Sequence, residues 1–311
     1  MPLAVVAIGG NALAQAHQQG TIEEQFFNAR IVAAQLIGII ESGWDIVITH
    51  GNGPQVGSLL RRLELAGDPL YRLPLDVVDA DTQGGIGYML QQVIGNRLRS
   101  RGNERTVVTL VTQVLVAADD PAFNDPQKPI GPFFSRHEAE RRMQDLGWAM
   151  RDDAGRGWRR LVPSPKPLRI IELDAIRHCI AAGLIPIAAG GGGVPVVETT
   201  AGRLQGVPAV IDKDRASSLL ASQLGADLLL ISTGVPRVQI RFGTPHATSL
   251  GDVDAATLRR YHDEGEFPPG SMGPKIEAAL DFLAAGGQEV IITDPDNLVA
   301  AMIGEAGTRV R

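Results

Sequence analysis

LAVVAIGGNALA, residues 3–14, decides the fold. An apolar run, Leu3–Ile8, meets Gly9-Gly10-Asn11 and passes into a helix-favouring segment. No Lys or Arg precedes the run, and the run is too short for a secretion signal, so it reads as a first β-strand ending in a tight turn. The same grammar returns along the chain. Short apolar runs at 45–49, 106–111, 184–188, 226–232 and 289–293 read as strands, and helical patterns fall at about 22–42, 82–100, 171–182, 214–224 and 273–285. Strands that are apolar on both faces and alternate with helices predict an α/β fold, with a mainly parallel sheet covered on both sides. Glycine turns follow three of the strands: IGGN, HGNGPQVG and AGGGG. In open α/β sheets ligands sit outside the carboxyl ends of the strands, so these turns are where a ligand is expected.

With 311 residues, 44% hydrophobic and 21% charged, the chain reads as a soluble globular protein. Its net charge of −6 argues against a nucleic-acid or anionic-membrane partner, so any phosphate must be met by local features. The one cysteine, Cys179, excludes an internal disulfide, fits a reducing cytoplasm and reads as a buried structural thiol. IVAAQLIGII is short and broken by Gln35, a buried helix rather than a membrane span. Residues about 116–168 interrupt the alternation with Pro, Asp, Gly and Arg. They carry Phe123, Phe133, Phe134, Trp148 and Trp158 and one short helical piece at 135–146, which marks an inserted subdomain or lid, not a linker.

The familiar nucleotide signatures are missing. No Gly-Lys pair exists for a P-loop, and the first turn, GGNALA, is not GxGxxG. HExxH, CxxC and GxSxG are absent as well. What remains is an oxyanion site assembled from separate glycine turns, with backbone N–H groups and helix N-termini facing the ligand.

Lysine points to the same place. Only four of the 29 basic residues are lysine: Lys128, Lys166, Lys213 and Lys275. In VIDKDRASSLLA a helix is expected to begin at or near Asp214, whose carboxylate could serve as its cap. Lys275, in GSMGPKIEA, falls in the first turn of a helix, where the dipole disfavours a cation unless an anion lies beside it.

Eight ordered blocks carry a family resemblance: VAIGGNAL, ITHGNGPQVG, DTQGGIGYMLQQ, DDPAF…QKPIGPFF, GWRRLVPSPKP, AAGGGGVPVV, AVIDKDRASSLLA and EGEFPPGSMGPKIEAA. Spanning residue 4 to about 280, they resemble the carbamate kinases. The resemblance implies the amino-acid-kinase fold, a three-layer αβα sandwich. It implies one domain over 1–311, with an N-terminal lobe (about 1–195) for carbamate or carbamoyl phosphate, the subdomain at about 116–168 protruding over the site, and a C-terminal lobe (about 196–311) for ATP or ADP. The implied reaction is reversible phosphoryl transfer between ATP and carbamate with Mg²⁺, bound mainly through the nucleotide phosphates, with no protein ligand assigned. Such enzymes are typically cytoplasmic homodimers that make ATP at the end of arginine or agmatine breakdown.

Carried over by position, Gly9, Gly10, Asn11, Gly51, Asn52 and Gly53 would hold the carbamoyl phosphate end. Lys213, Asp214, Thr233, Phe242, Met272 and Lys275 would line the nucleotide side, with Asp214 orienting the lysines. Relatives in the wider fold usually carry a lysine just before the first glycine pair. This chain has none there, and Lys128 would replace it from the subdomain. Arg241 stands where the family usually has Asn, and Glu266 where it has His. Another small-acid kinase of the same fold, or a catalytically silent nucleotide-binding module, remains an alternative reading of the same residues.

Overall fold

The computed structural model describes residues 1–15, 18–66, 73–153, 155, 157–268 and 270–311; the side chain of Asn11 lies outside the described set. Among the described residues the six predicted runs join one eight-stranded sheet. From edge to edge it runs Asp252–Val253, Thr308–Val310, Glu289–Thr293, Leu228–Ser232, Leu3–Ile8, Asp45–His50, Ile185–Ile187, Val107–Thr109. Every neighbouring pair is parallel except Glu289–Thr293 with Thr308–Val310.

Alternation within the strands builds two cores. Val6 and Ile48 face a cluster with Leu36, Ile37, Leu90 and Ile94 from the helices Ile22–Glu41 and Leu75–Ser100. Val5 and Val47 face the other side, against Ala216 and Leu220 of the helix Lys213–Leu224 and Ile276 and Ala279 of the helix Gly273–Ala284. The result is the expected three-layer αβα sandwich, each helix closing its apolar stripe on the sheet. Leu3–Ile8 lies between a strand from the first half of the chain, Asp45–His50, and one from the second, Leu228–Ser232. That is a topological switch point, where the crossovers diverge and leave a crevice at the strand ends. Gly9 and Gly10 open onto it.

Three smaller sheets complete the scaffold among the described residues: the two-stranded pair Gln239–Ile240 and Thr248–Ser249, and two larger ones. Leu204–Gly206, Val194–Glu198, Gln113–Val116 and Pro167–Ile170 form one. Lys128–Phe134, Trp158–Val162 and Ala149–Asp152 form the other, antiparallel with Trp158–Val162 in the centre and the helix Arg136–Leu146 joining the two outer strands. Phe134, Ala139 and Met150, with Met143, Trp148 and Trp158 against them, give this second sheet its own small core. A further cluster seats it on the main body: Ile130 and Val162 pack with Val56, Leu75, Val78 and Val210. That contact is what carries Lys128 over the crevice.

Several expectations change. The helix expected from about 82 begins at Leu75, after Pro74. Residues Gly53–Ala66 form a helix that the GNGP text conceals, because Pro54 is tolerated in a first turn. Asp212, not Asp214, caps the helix Lys213–Leu224. Cys179 is partly exposed, since the short helix Leu173–Ala181 buries Ile176 and turns its flank outward.

Candidate active site

Two aspartates two residues apart divide the work at the start of one helix. Asp212 is the N-cap: its Oδ1 accepts from the backbone N–H of Asp214 at 2.9 Å and of Arg215 at 3.3 Å. Its Oδ2 takes Lys128 Nζ at 3.0 Å. Asp214 is only 2% exposed and accepts lysine on both oxygens, Lys213 Nζ at 2.5 Å on Oδ1 and Lys275 Nζ at 3.1 Å on Oδ2. Three of the four lysines thus converge from three elements on two adjacent carboxylates. The anion that a cation in the first turn of the Gly273–Ala284 helix demands is Asp214. The fourth lysine, Lys166, is exposed, and its backbone N–H donates to Asp120.

The charges respond to these contacts. Burial opposes ionisation of Asp212, yet Lys128, with Lys213 and Lys275 nearby, holds its carboxyl well below the ordinary range. For Lys275 burial favours the neutral amine, but Asp214 and Asp212 outweigh it and raise the group above its usual value. Lys213 goes the other way, drawn down by burial and by the like charge of Lys275 despite its bond to Asp214. An added anion in the crevice would relieve that tension.

The crevice between the first two glycine turns is built from close backbone approach. A Cβ on Gly51 would lie 2.7 Å from Gly10 N and 3.4 Å from Lys213 Cδ, so the first two glycine turns and the lysine meet only because residue 51 has no side chain. Asn52, 3% exposed, donates its amide to Asp79 Oδ1 at 3.2 Å and to Thr82 Oγ1 at 2.9 Å. Its neighbour His50 is buried and driven down to about 4, chiefly by burial, with Lys213 adding to the effect. The third glycine turn is different. Gly190, Gly191 and Gly192 are buried against His50, Asn52 and Ile211, so this turn braces the second one instead of opening to a ligand.

On the C-terminal side, Thr233 follows the strand Leu228–Ser232 and is fastened to Thr293 O at 2.7 Å. Met272 precedes the Gly273–Ala284 helix and accepts from Lys275 N. Phe242 is 62% exposed in a turn outside the lysine cluster. Arg241 and Glu266 touch each other there: Arg241, at φ 54°, donates its backbone N–H to Glu266 Oε2 at 2.6 Å. Asp79 and Thr82 were not singled out from the sequence. They share the helical register of Leu75, Ile86 and Leu90, and polar residues on an apolar stripe were the available signal.

The amino acid kinase family model matches residues 2–294. With 47% identity over 309 residues, 98% of both chains, the carbamate kinase of Pyrococcus horikoshii is a relative over full length. The chain belongs to the carbamate kinases of the amino acid kinase family. The carbamate kinase-like protein YahI of Escherichia coli K12 is 52% identical over 99% of this chain and 98% of its own. Among solved structures, the carbamate kinase of Giardia lamblia bound to AMP-PNP superposes with a TM-score of 0.92, at 40% identity over 99% of this chain and 98% of that one. Membership makes the chain a phosphotransferase and accounts for the large parallel sheet. Among the described residues no helix is long and apolar enough to cross a membrane.

Proposed function

We propose that the protein transfers a phosphoryl group reversibly between carbamoyl phosphate and ADP. The observation that carries this reading is the cluster of Lys128, Lys213 and Lys275 on Asp212 and Asp214, beside a glycine crevice at the switch point. An oxygen of the ADP β-phosphate attacks phosphorus, the bond from phosphorus to the carbamate oxygen breaks, and carbamate leaves. Charge on the transferring group is spread over its equatorial oxygens, and the lysines neutralise it as compact cations that leave the in-line path open. The turns Gly9-Gly10-Asn11 and Gly51-Asn52-Gly53 hold the carbamoyl end in the N-terminal lobe. Thr233, Phe242 and Met272 belong to the nucleotide side in the C-terminal lobe, and Lys128 reaches in from the protruding subdomain.

Mg²⁺ enters as the magnesium complex of the nucleotide. Both central carboxylates already serve lysines, and no group of three or more His, Cys, Asp or Glu among the described residues could hold a metal ion. A homodimeric, cytoplasmic enzyme that makes ATP at the end of arginine or agmatine breakdown is part of the same proposal, supported by the family resemblance and, for the compartment, by the lone cysteine. The test is ATP formation by purified protein from ADP, Mg²⁺ and carbamoyl phosphate. ATP from other acyl phosphates but not from carbamoyl phosphate would move the chain to a different small acid within the fold.

A further inference from the structure

Behind the substrate crevice lies a polar network that phosphoryl transfer itself does not use. Thr82 Oγ1 donates its single hydrogen to the main-chain oxygen of Asp79 at 2.8 Å. It can therefore only accept from Asn52, which fixes the nitrogen of that amide toward Thr82. The second amide hydrogen goes to Asp79 Oδ1. Both N–H groups of Asn52 are thus taken up on one side, and its carbonyl oxygen is the remaining polar atom. Gly191, at φ 69°, lies flat on this amide: a Cβ there would come within 2.2 Å of Asn52 Nδ2. The amide is clamped from two directions. Asp79 is 2% exposed, and its Oδ2 is buried with no hydrogen-bond partner among the described residues. A carboxyl so placed is costly, so a structural role alone would be better served by an apolar residue.

We propose that Asp79 and Thr82 are positioning residues that give the site its preference for a carbamoyl over an acetyl group, by holding Asn52 so that it presents an acceptor to the substrate N–H. The inference rests on the functional reading above. Carbamoyl and acetyl phosphate have similar shapes, and the amino group of the former, two N–H donors, is the chemical difference between them. A site that presents an acceptor there favours the donor and leaves a buried acceptor unpaired against a methyl group. Burial holds the Asp79 carboxyl up at about 8, against the pull of Asn52 and Lys128 and with Asp76 adding to the rise. At neutral pH it is an uncharged acceptor for Asn52, which asparagine can imitate.

The experiment measures kcat/KM for ATP formation with carbamoyl phosphate and with acetyl phosphate, in wild type, Asp79→Ala, Thr82→Val and Asp79→Asn. The ratio of the two falls at least about tenfold in Asp79→Ala and Thr82→Val, through KM for carbamoyl phosphate, with KM for ADP unmoved. Asp79→Asn keeps an acceptor oxygen and returns the ratio to within about threefold of wild type. If Asp79→Ala does not fold, the nearly isosteric Thr82→Val carries the test. An active wild type with an unchanged ratio in folded Thr82→Val, or an Asp79→Asn ratio as low as that of alanine, overturns this inference alone. A wild type inactive with carbamoyl phosphate overturns the functional reading and this inference with it.

Discussion

Two buried regions meet at the crevice and treat charge in opposite ways. Around Asn52, His50 is held neutral by a value of about 4 and Asp79 by one of about 8, because burial dominates and, among the described residues, no opposite charge is within hydrogen-bonding reach. Around the start of the Lys213–Leu224 helix, Asp212 and Lys275 are half-buried and stay ionised, because each touches an opposite charge. Burial depth and the partner at about 3 Å together set the charge of each region. The neutral region suits recognition of a small polar group, and the charged region suits neutralising a phosphoryl group. One crevice holds both because the first two glycine turns let the backbones of residues 10 and 51 close on each other.

The sharpest way to break this division is Asp214→Asn. The helix keeps its start, since Asp212 supplies the cap. Two lysine charges, however, lose the anion between them, and breaking a buried pair by removing one partner costs about 3–5 kcal/mol. Most of that falls on lysine position, so kcat is expected to drop by about 10³-fold or more while the circular dichroism spectrum is retained. Turnover within threefold of wild type would show that the lysines hold their places without Asp214.

Lys128→Ala is expected to come next. Its ammonium reaches Asp212 from the subdomain, and Asp212 still caps the helix when it is gone. The contact strengthens as charge develops on the transferring oxygens, so kcat falls by about 10²–10³ and KM for ADP moves little. Lys128→Arg does not fully rescue, because the planar fork needs more room than a point charge. Steady-state kinetics of the two variants beside wild type decide the matter; an alanine kcat within threefold of wild type would return Lys128 to being a surface charge.

Much of the fold was legible because its signals are local. The six strands announce themselves as short apolar runs, three of them followed by glycine turns, and the lysine site through the rarity of lysine among 29 basic residues. The division of labour between Asp212 and Asp214 was not. Both fit a cap by residue type, and only the backbone angle at residue 212, ψ 126°, places the helix boundary after it. The buttressing role of Gly190–Gly193 was hidden for a similar reason: glycine in a turn looks alike whether it opens to a ligand or gives way to His50 and Asn52. The contact between Arg241 and Glu266 and the one between Asn52 and Asp79 join residues 25 and 27 positions apart, a pairing no periodicity encodes.

The smallest effect sharpens the neutral side of the comparison. An Asp whose value rises from 3.8 to about 8 on folding keeps a proton that the unfolded chain gives up. Its contribution to stability is therefore full below about 3.8, shrinks as pH rises through that window, and is gone above about 8. His50 has the opposite sign: depressed from 6.5 to about 4, it contributes fully above 6.5 and loses that contribution as pH falls through 4. Asparagine at position 79 cannot ionise and carries no such alkaline cost. Asp79→Asn should thus melt above wild type at pH 8, by about 2–6 °C if one to two kcal/mol of the cost is realised. The gap should close as pH is lowered toward 4, where both chains carry a neutral group at 79 and the same His50. Thermal melting of the two proteins from pH 5 to pH 9 measures it. Parallel curves would mean that Asp79 is charged at neutral pH. The region around Asn52 would then be ionic like its neighbour, and the contrast between the two halves of the crevice would not hold.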